Sequence, residues 1–105
     1  MGVYAAEQTS GFAFEALTID NTVGGIGFTT ATFNPAGGPG ATAALVTTEV
    51  AQVRYRYDGG APTATVGHLL EIGDRLKLEG SENLNRFRAI RTGASSGTLT
   101  CTFER

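Results

Sequence analysis

One segment near the middle of the chain constrains the fold more than any other. Between Val53 and Tyr57, apolar and aromatic side chains alternate with two arginines, and Asp-Gly-Gly-Ala-Pro-Thr follows directly. Alternation with a period of two is typical of a strand with one buried face. Glycine tolerates positive φ and proline fixes φ, so the residues that follow suit a chain reversal. The segment therefore predicts an antiparallel strand that ends in a turn.

The same pattern recurs along the rest of the chain. Arg75–Glu79 and Thr98–Phe103 alternate between apolar and polar residues, and glycine-rich turns separate such stretches. No stretch of ten or more residues keeps the helical period. Roughly seven to nine short strands are expected, which is the pattern of an all-β fold. We predict an antiparallel β-sandwich that is jelly-roll-like.

The stretch from Thr42 to Tyr57 predicts how two of these strands are connected. Apolar residues such as Val46 and Val50 occupy even positions, whereas Val53 and Tyr55 occupy odd positions. The buried face therefore changes near Val50, although no turn signal separates the two halves. A strand whose buried face changes often passes from one sheet to another.

Two stretches are less regular. Thr22–Phe33 is rich in threonine and aromatic residues, and it is predicted to be an extended strand with a glycine bend. Leu84–Arg91 is also predicted to be a strand, because the flanking glycines leave only a short span. The spacing of three apolar residues in this stretch would also suit a short helical turn (Leu84, Phe87 and Ile90).

The length of the chain indicates its domain organisation. With 105 residues, it has the size of a single domain. Residues 1–11 are mixed in character and are predicted to be a flexible N-terminal arm, and residues 12–105 form the sandwich domain. Asn34–Gly40 contains two prolines and is the clearest loop.

Charge argues against a nucleic-acid-binding protein. The formal net charge is −2 and the sequence pI is about 5.2, whereas such proteins usually carry a basic excess. Five arginines nevertheless gather in two short segments, and they would form a local basic patch if those strands were neighbours (Arg54, Arg56, Arg86, Arg88 and Arg91). This patch is either a solvated strand face or a contact surface for an acidic partner or a neighbouring subunit.

Catalytic and metal-binding chemistry has few candidates in this sequence. The chain has one histidine, His68, and one cysteine, Cys101, and nothing in the sequence places them together. One of each cannot complete a zinc site, which usually needs three or four ligands. Cys101 alternates with threonines in the last strand, where a cysteine is commonly a small buried apolar residue. We therefore predict a protein that is not an enzyme and that has no cofactor or metal.

Targeting signals are not evident. Residues 1–10 lack the charged and apolar regions of a signal peptide. No apolar run approaches the roughly 20 residues that span a membrane. The sequence predicts a protein that is made in a cytoplasm and has no membrane partner.

Several strand and turn segments resemble small virion structural proteins of tailed bacteriophages. The resemblance covers roughly residues 40–105 and lies in six segments: Val53–Gly59, Pro62–Thr63, Gly67–Leu70, Gly73–Asp74, Phe87–Arg91 and Gly97–Phe103. Such proteins look like β-sandwich or jelly-roll modules that decorate or cement capsids, or that lie at the neck or tail. The resemblance implies location in the virion after synthesis in the host cytoplasm.

The virion role predicts which residues make contacts. The candidate contact surface combines the arm, the proline-containing loop and the arginines: Tyr4, Asn34, Pro35, Pro39, Arg54, Arg56, Arg86 and Arg88. The predicted partners are further copies of the chain, for which a trimer would be one symmetric arrangement, and other virion proteins such as the major capsid protein. Direct binding of nucleic acid is not expected. The alternative is a carbohydrate- or host-surface-binding β-sandwich module, although the sequence has no tryptophan and only three tyrosines to support it.

Overall fold

The computed structural model describes residues 10–105, and strands are the predominant regular structure in that range. The elements in chain order are β1 (Gly11–Ile19), α1 (Thr30–Phe33), β2 (Ala43–Glu49), β3 (Val53–Arg56), β4 (His68–Leu70), β5 (Arg75–Glu79), α2 (Ser81–Arg86), β6 (Arg88–Arg91) and β7 (Gly97–Glu104). Neither helix in residues 10–105 has the length and apolar character needed to cross a membrane.

The strands form two sheets that pack against each other. One sheet has four strands in the order β1-β7-β2-β5, and the other has three in the order β4-β3-β6. Every strand pair is antiparallel. The predicted all-β antiparallel sandwich is therefore confirmed.

The change of buried face near Val50 marks the passage between the two sheets. β2 ends at Glu49 in the four-stranded sheet, and β3 begins at Val53 in the three-stranded sheet. Val50 lies between them with a φ of 75°, which is a rare conformation for a β-branched residue. This sharp local turn lets Val46 and Val53 both enter the core although their positions differ in parity.

The prediction of an extended strand over Thr22–Phe33 is wrong in its second half. Within this stretch only Ile26 pairs with a strand, through a single bridge to Ala89 of β6. The backbone N–H of Phe33 then donates to the carbonyl of Thr29, and α1 forms. This short helical turn carries the Phe33 ring into the core, where it is 4% exposed. Burial of the ring outweighs the weak helix propensity of the threonines.

The prediction of a strand from Leu84 is also wrong, and the alternative of a helical turn applies there. α2 begins after Gly80, whose φ of 101° suits glycine. The Asn83 side chain donates to the carbonyl of Glu79, and the Leu84 N–H donates to the carbonyl of Gly80. Leu84 is thereby buried, and the following strand starts only at Arg88.

Aromatic rings fill much of the space between the sheets. Phe87 stacks on Phe28 with ring centroids 4.4 Å apart, and Phe103 meets Phe28 edge to face at 5.2 Å. As predicted from the alternation, Leu99, Cys101 and Phe103 of β7 all face inward and are fully buried. The aromatic core therefore links β7, a central strand of the four-stranded sheet, to Phe87, which directly precedes β6 at the edge of the other sheet.

Candidate functional site

Three of the predicted contact arginines lie side by side on the outer face of the three-stranded sheet. Arg54 and Arg56 alternate with the inward residues of β3, and Arg56 lies directly opposite Arg88 of β6. Arg88 donates to the backbone carbonyls of Asn85 and Phe87, at 3.2 Å and 2.7 Å. The structure therefore brings together the two arginine segments that the sequence placed apart.

The two β3 arginines bind the loop that follows their own strand. Arg54 donates to the carbonyl of Ala64 at 3.1 Å and to the carbonyl of Gly67 at 2.7 Å. Arg56 donates to the Asp58 carboxylate through both Nε and one terminal nitrogen, at 3.1 Å and 2.7 Å. These guanidinium groups fasten residues 57–67 to the sheet.

The Arg56–Asp58 pair is exposed but well organised. Hydrogen bonds from the Arg56 side chain and from the Gly60 N–H lower the pKa of the Asp58 carboxyl group to about 2. The hydrogen bond to Asp58 and the negative charge of its carboxylate raise the pKa of Arg56. Asp58 is therefore ionised at neutral pH, and its charge is balanced by that of its partner.

The other predicted contact residues lie elsewhere. Arg86 is in α2, not in a strand, and pairs with Glu82 at 3.2 Å. Asn34 lines a depression of about 370 Å³, together with residues that precede β2 and residues of α2. In the same loop Pro35 is partly buried, and the exposed Pro39 accepts a hydrogen bond from Arg105 at 3.1 Å.

The predicted N-terminal arm falls almost entirely outside the described residues. Tyr4 also lies outside them. At the start of the described range, Ser10 exchanges two backbone hydrogen bonds with Arg105, and Gly11 is already the first residue of β1. Ser10 and Gly11, the last two residues of the predicted arm, are thus paired with the C-terminal residues Arg105 and Glu104.

An aromatic cluster that was not predicted from the sequence lies at one end of the three-stranded sheet, and it is formed by Tyr55, Tyr57 and His68. His68 of β4 lies opposite Tyr55 of β3, and their ring centroids are 5.3 Å apart. The Tyr57 ring stacks on Tyr55 at 6.2 Å and lies 6.4 Å from the His68 ring. The shared parity of the tyrosines was visible in the sequence, but the partner of His68 depends on the register of β4.

This cluster borders a depression of about 270 Å³, which we call the aromatic depression. Its lining residues are Arg56, Tyr57, Asp58 and His68. It therefore combines two rings with the organised ion pair described above.

Cys101 and His68 lie in different sheets. Cys101 is on β7 in the four-stranded sheet, whereas His68 is on β4 in the three-stranded sheet. Burial, with a smaller contribution from the negative charge of Glu15, raises the pKa of the Cys101 thiol to about 12. A thiol with this pKa is not a ready nucleophile. Within residues 10–105 no cluster of three or more His, Cys, Asp or Glu side chains is placed to hold a metal ion.

We call the side of Gly11–Ile19 that faces away from β7 the β1 edge. The Arg105 guanidinium lies over the Phe12 ring near the start of this strand, at 4.2 Å, but from Phe14 to Thr18 the outward residues of β1 are uncharged. Phe14 projects from this strand and is 63% exposed. Across the sheet, in register with Phe14, lie Thr102 of β7 and Leu45 of β2. The next row on the same face contains three small or uncharged residues: Ala16, Thr100 and Thr47.

The two edges of this sheet differ in charge. β5 forms one edge and carries three outward or exposed charged residues (Arg75, Lys77 and Glu79). β1 forms the other edge and carries a single charged residue, Glu15. The Glu15 carboxylate accepts a hydrogen bond from the Thr29 N–H at 3.0 Å. Among the described residues, β1 pairs only with β7.

Comparisons with family models, with curated proteins and with solved structures found no match for this chain.

Proposed function

We propose that this chain is a non-enzymatic structural protein of a tailed-phage virion, acting as a capsid decoration or cement protein or as a head- or tail-associated protein. It would function through self-association and through contacts with other virion proteins such as the major capsid protein. The observation that carries the proposal is the β1 edge: a nine-residue strand edge with a single charged residue, Glu15, beside outer-face residues of β1 that are uncharged from Phe14 to Thr18.

An edge strand presents unpaired backbone groups and readily adds another strand. Proteins that stay monomeric usually protect such edges with charged residues, as β5 does here with Arg75 and Lys77. β1 has nine residues, and its one carboxylate is held by Thr29 on the inner side. This edge is therefore suited to a partner strand.

The occupant that fits best is a second copy of β1. Identical edges can pair antiparallel about a two-fold axis, and the contact is then the same on both subunits. The exposed ring of Phe14 would lie close to the axis, where contact with Phe14 of the second copy would bury part of its surface. The outward residues Ala16 and Thr18 are uncharged, and the Glu15 carboxylate lies on the inner side, where the Thr29 N–H donates to it.

The order of the strands also supports the proposal, through the jelly-roll architecture predicted above. In a jelly roll the first, eighth, third and sixth strands form one sheet, and the second, seventh, fourth and fifth form the other. If the Ile26 bridge is counted as the second strand, β1, β7, β2 and β5 become the first, eighth, third and sixth strands, which is the order of the first sheet. Ile26 pairs with β6, so the other sheet then has the order of the second, seventh, fourth and fifth strands. Viral capsid domains are among the proteins that use this architecture.

The test is co-sedimentation of the purified protein with the empty capsids and the isolated tails of the phage that encodes it. We expect the wild-type protein to sediment with one of these particles at a fixed number of copies per particle. Sedimentation with neither, by a protein that is folded according to its circular dichroism, would contradict the proposed virion role.

A further inference from the structure

The aromatic depression lies on the opposite sheet from the β1 edge, and the proposed assembly does not use it. It is bordered by Tyr57 and His68 on one side and by the Arg56–Asp58 pair on the other. Tyr57 is 38% exposed although it is a large ring at the end of a strand. A ligand of this depression must therefore suit aromatic rings and a balanced ion pair at the same time.

The aromatic wall is fixed by a continuous stack that reaches the core. The Tyr57 ring lies nearly parallel to that of Tyr55, with an interplanar angle of 17°. The Tyr55 ring stacks in turn on the buried Phe87 at 5.7 Å, and Phe87 stacks on Phe28. A ring held in this way loses little conformational freedom when a ligand contacts it, which favours binding.

The polar wall is fixed as well, and it keeps some hydrogen-bonding capacity. The Asp58 carboxylate accepts two hydrogen bonds from Arg56 and one from the Gly60 N–H. A carboxylate has about four acceptor positions, so at least one is left for a hydroxyl donor. Because both side chains of the ion pair are held by each other, a ligand would meet groups already in position.

The charge balance decides between classes of ligand. A phosphate or carboxylate would need an uncompensated cation, but the Arg56 charge is balanced by Asp58. A quaternary ammonium group would need uncompensated negative charge or a closed aromatic cage, and Asp58 is balanced in the same way. Single-stranded nucleic acid would need a positively charged groove beside the rings. A neutral polyhydroxylated ligand requires none of these.

We propose that the aromatic depression binds one ring of a neutral saccharide. The C–H face of a pyranose would lie on Tyr57 and His68, and its hydroxyl groups would bond to Asp58 and Arg56. The volume of about 270 Å³ is below the range of about 300–1,000 Å³ that is usual for drug-sized ligands. The site is therefore sized for a single sugar unit, at the end of a glycan or within a chain.

The test is a titration of the full chain with methyl glycosides of glucose, galactose, mannose and N-acetylglucosamine, followed by amide proton–nitrogen NMR spectra. We expect at least one of these sugars, at millimolar concentration, to shift the amide signals of residues 56–58 and 68 in a saturable way. Tyr57→Ala should weaken that binding about tenfold, because the stacking surface is lost. Tyr57→Phe should retain it, because the ring remains.

The matched control is Ile72→Ala, which removes another exposed apolar side chain from a different turn. It should leave the affinity unchanged, and the spectra themselves report whether each variant is folded. Three results would overturn the proposal: no saturable shift with any of the four glycosides, an affinity that Tyr57→Ala leaves unchanged, or shifts confined to other parts of the protein. Loss of binding in Tyr57→Phe would also overturn the stacking role of the ring.

Discussion

Replacing Phe87 by alanine is expected to lower the free energy of unfolding by about 3–5 kcal/mol. The Phe87 side chain is fully buried, and it stacks on Phe28 on one side and on Tyr55 on the other. Its removal leaves a cavity between the two sheets and also removes two aromatic contacts. A domain of this size is stable by only about 5–15 kcal/mol, so the variant should lose a large share of its stability.

Urea denaturation followed by circular dichroism measures this loss, and Phe14→Ala is the matched control. Phe14 is the same residue type, but its side chain is 63% exposed on the outer sheet face. Its truncation should change the stability of the isolated subunit by less than about 1 kcal/mol. Similar losses for both variants would mean that Phe87 is not at the centre of the core.

Replacing Gly97 by alanine is expected to lower the free energy of unfolding by about 1–3 kcal/mol. A Cβ atom at this position would lie 2.7 Å from the carbonyl oxygen of Ala51 and 2.7 Å from Cγ1 of Val53. Ala51 lies in the passage between the two sheets and Val53 begins β3, and neither contacting atom is the free end of a long side chain. The backbone would have to shift to admit the methyl group, which would disturb the start of β7.

Gly93 provides the control, because a Cβ atom there meets no atom within 4 Å. Thermal unfolding of Gly93→Ala should give a midpoint at or slightly above that of the wild type, since alanine reduces the freedom of the unfolded chain. Gly97→Ala should unfold several degrees lower. Equal midpoints for the two variants would contradict the close approach of β7 to Ala51.

The sequence was informative where one face of a strand is buried. The parity change between Val46 and Val53 predicted that the chain passes from one sheet to the other, because each buried side chain must point to the same core. It did not predict the positive φ of Val50, which is imposed by the geometry of the passage. The helix at Phe33 was not predicted, and the helical turn at Leu84 was only the alternative to a strand, for a related reason: burial of Phe33 and Leu84 depends on neighbours that are distant in the sequence.

The candidate sites were predictable only in part. The alternation in β3 placed Arg54 and Arg56 on one face, and the pairing with β6 brings Arg88 beside them. Nothing in the local pattern indicated that these guanidinium groups bind carbonyls and the carboxylate of the following loop. The aromatic depression also depends on a strand register, because His68 reaches Tyr55 only through the pairing of β4 with β3.

Self-association through the β1 edge can be measured as the solution mass of the protein by light scattering over a range of concentrations. We predict a two-fold dimer for the wild type and a monomer for Phe14→Lys, because a lysine beside the edge would place like charges near the axis. Ile72→Lys, which adds the same charge at an exposed turn, should remain dimeric. A wild-type protein that is monomeric at every concentration, or a trimer that Phe14→Lys leaves intact, would contradict self-association through this edge.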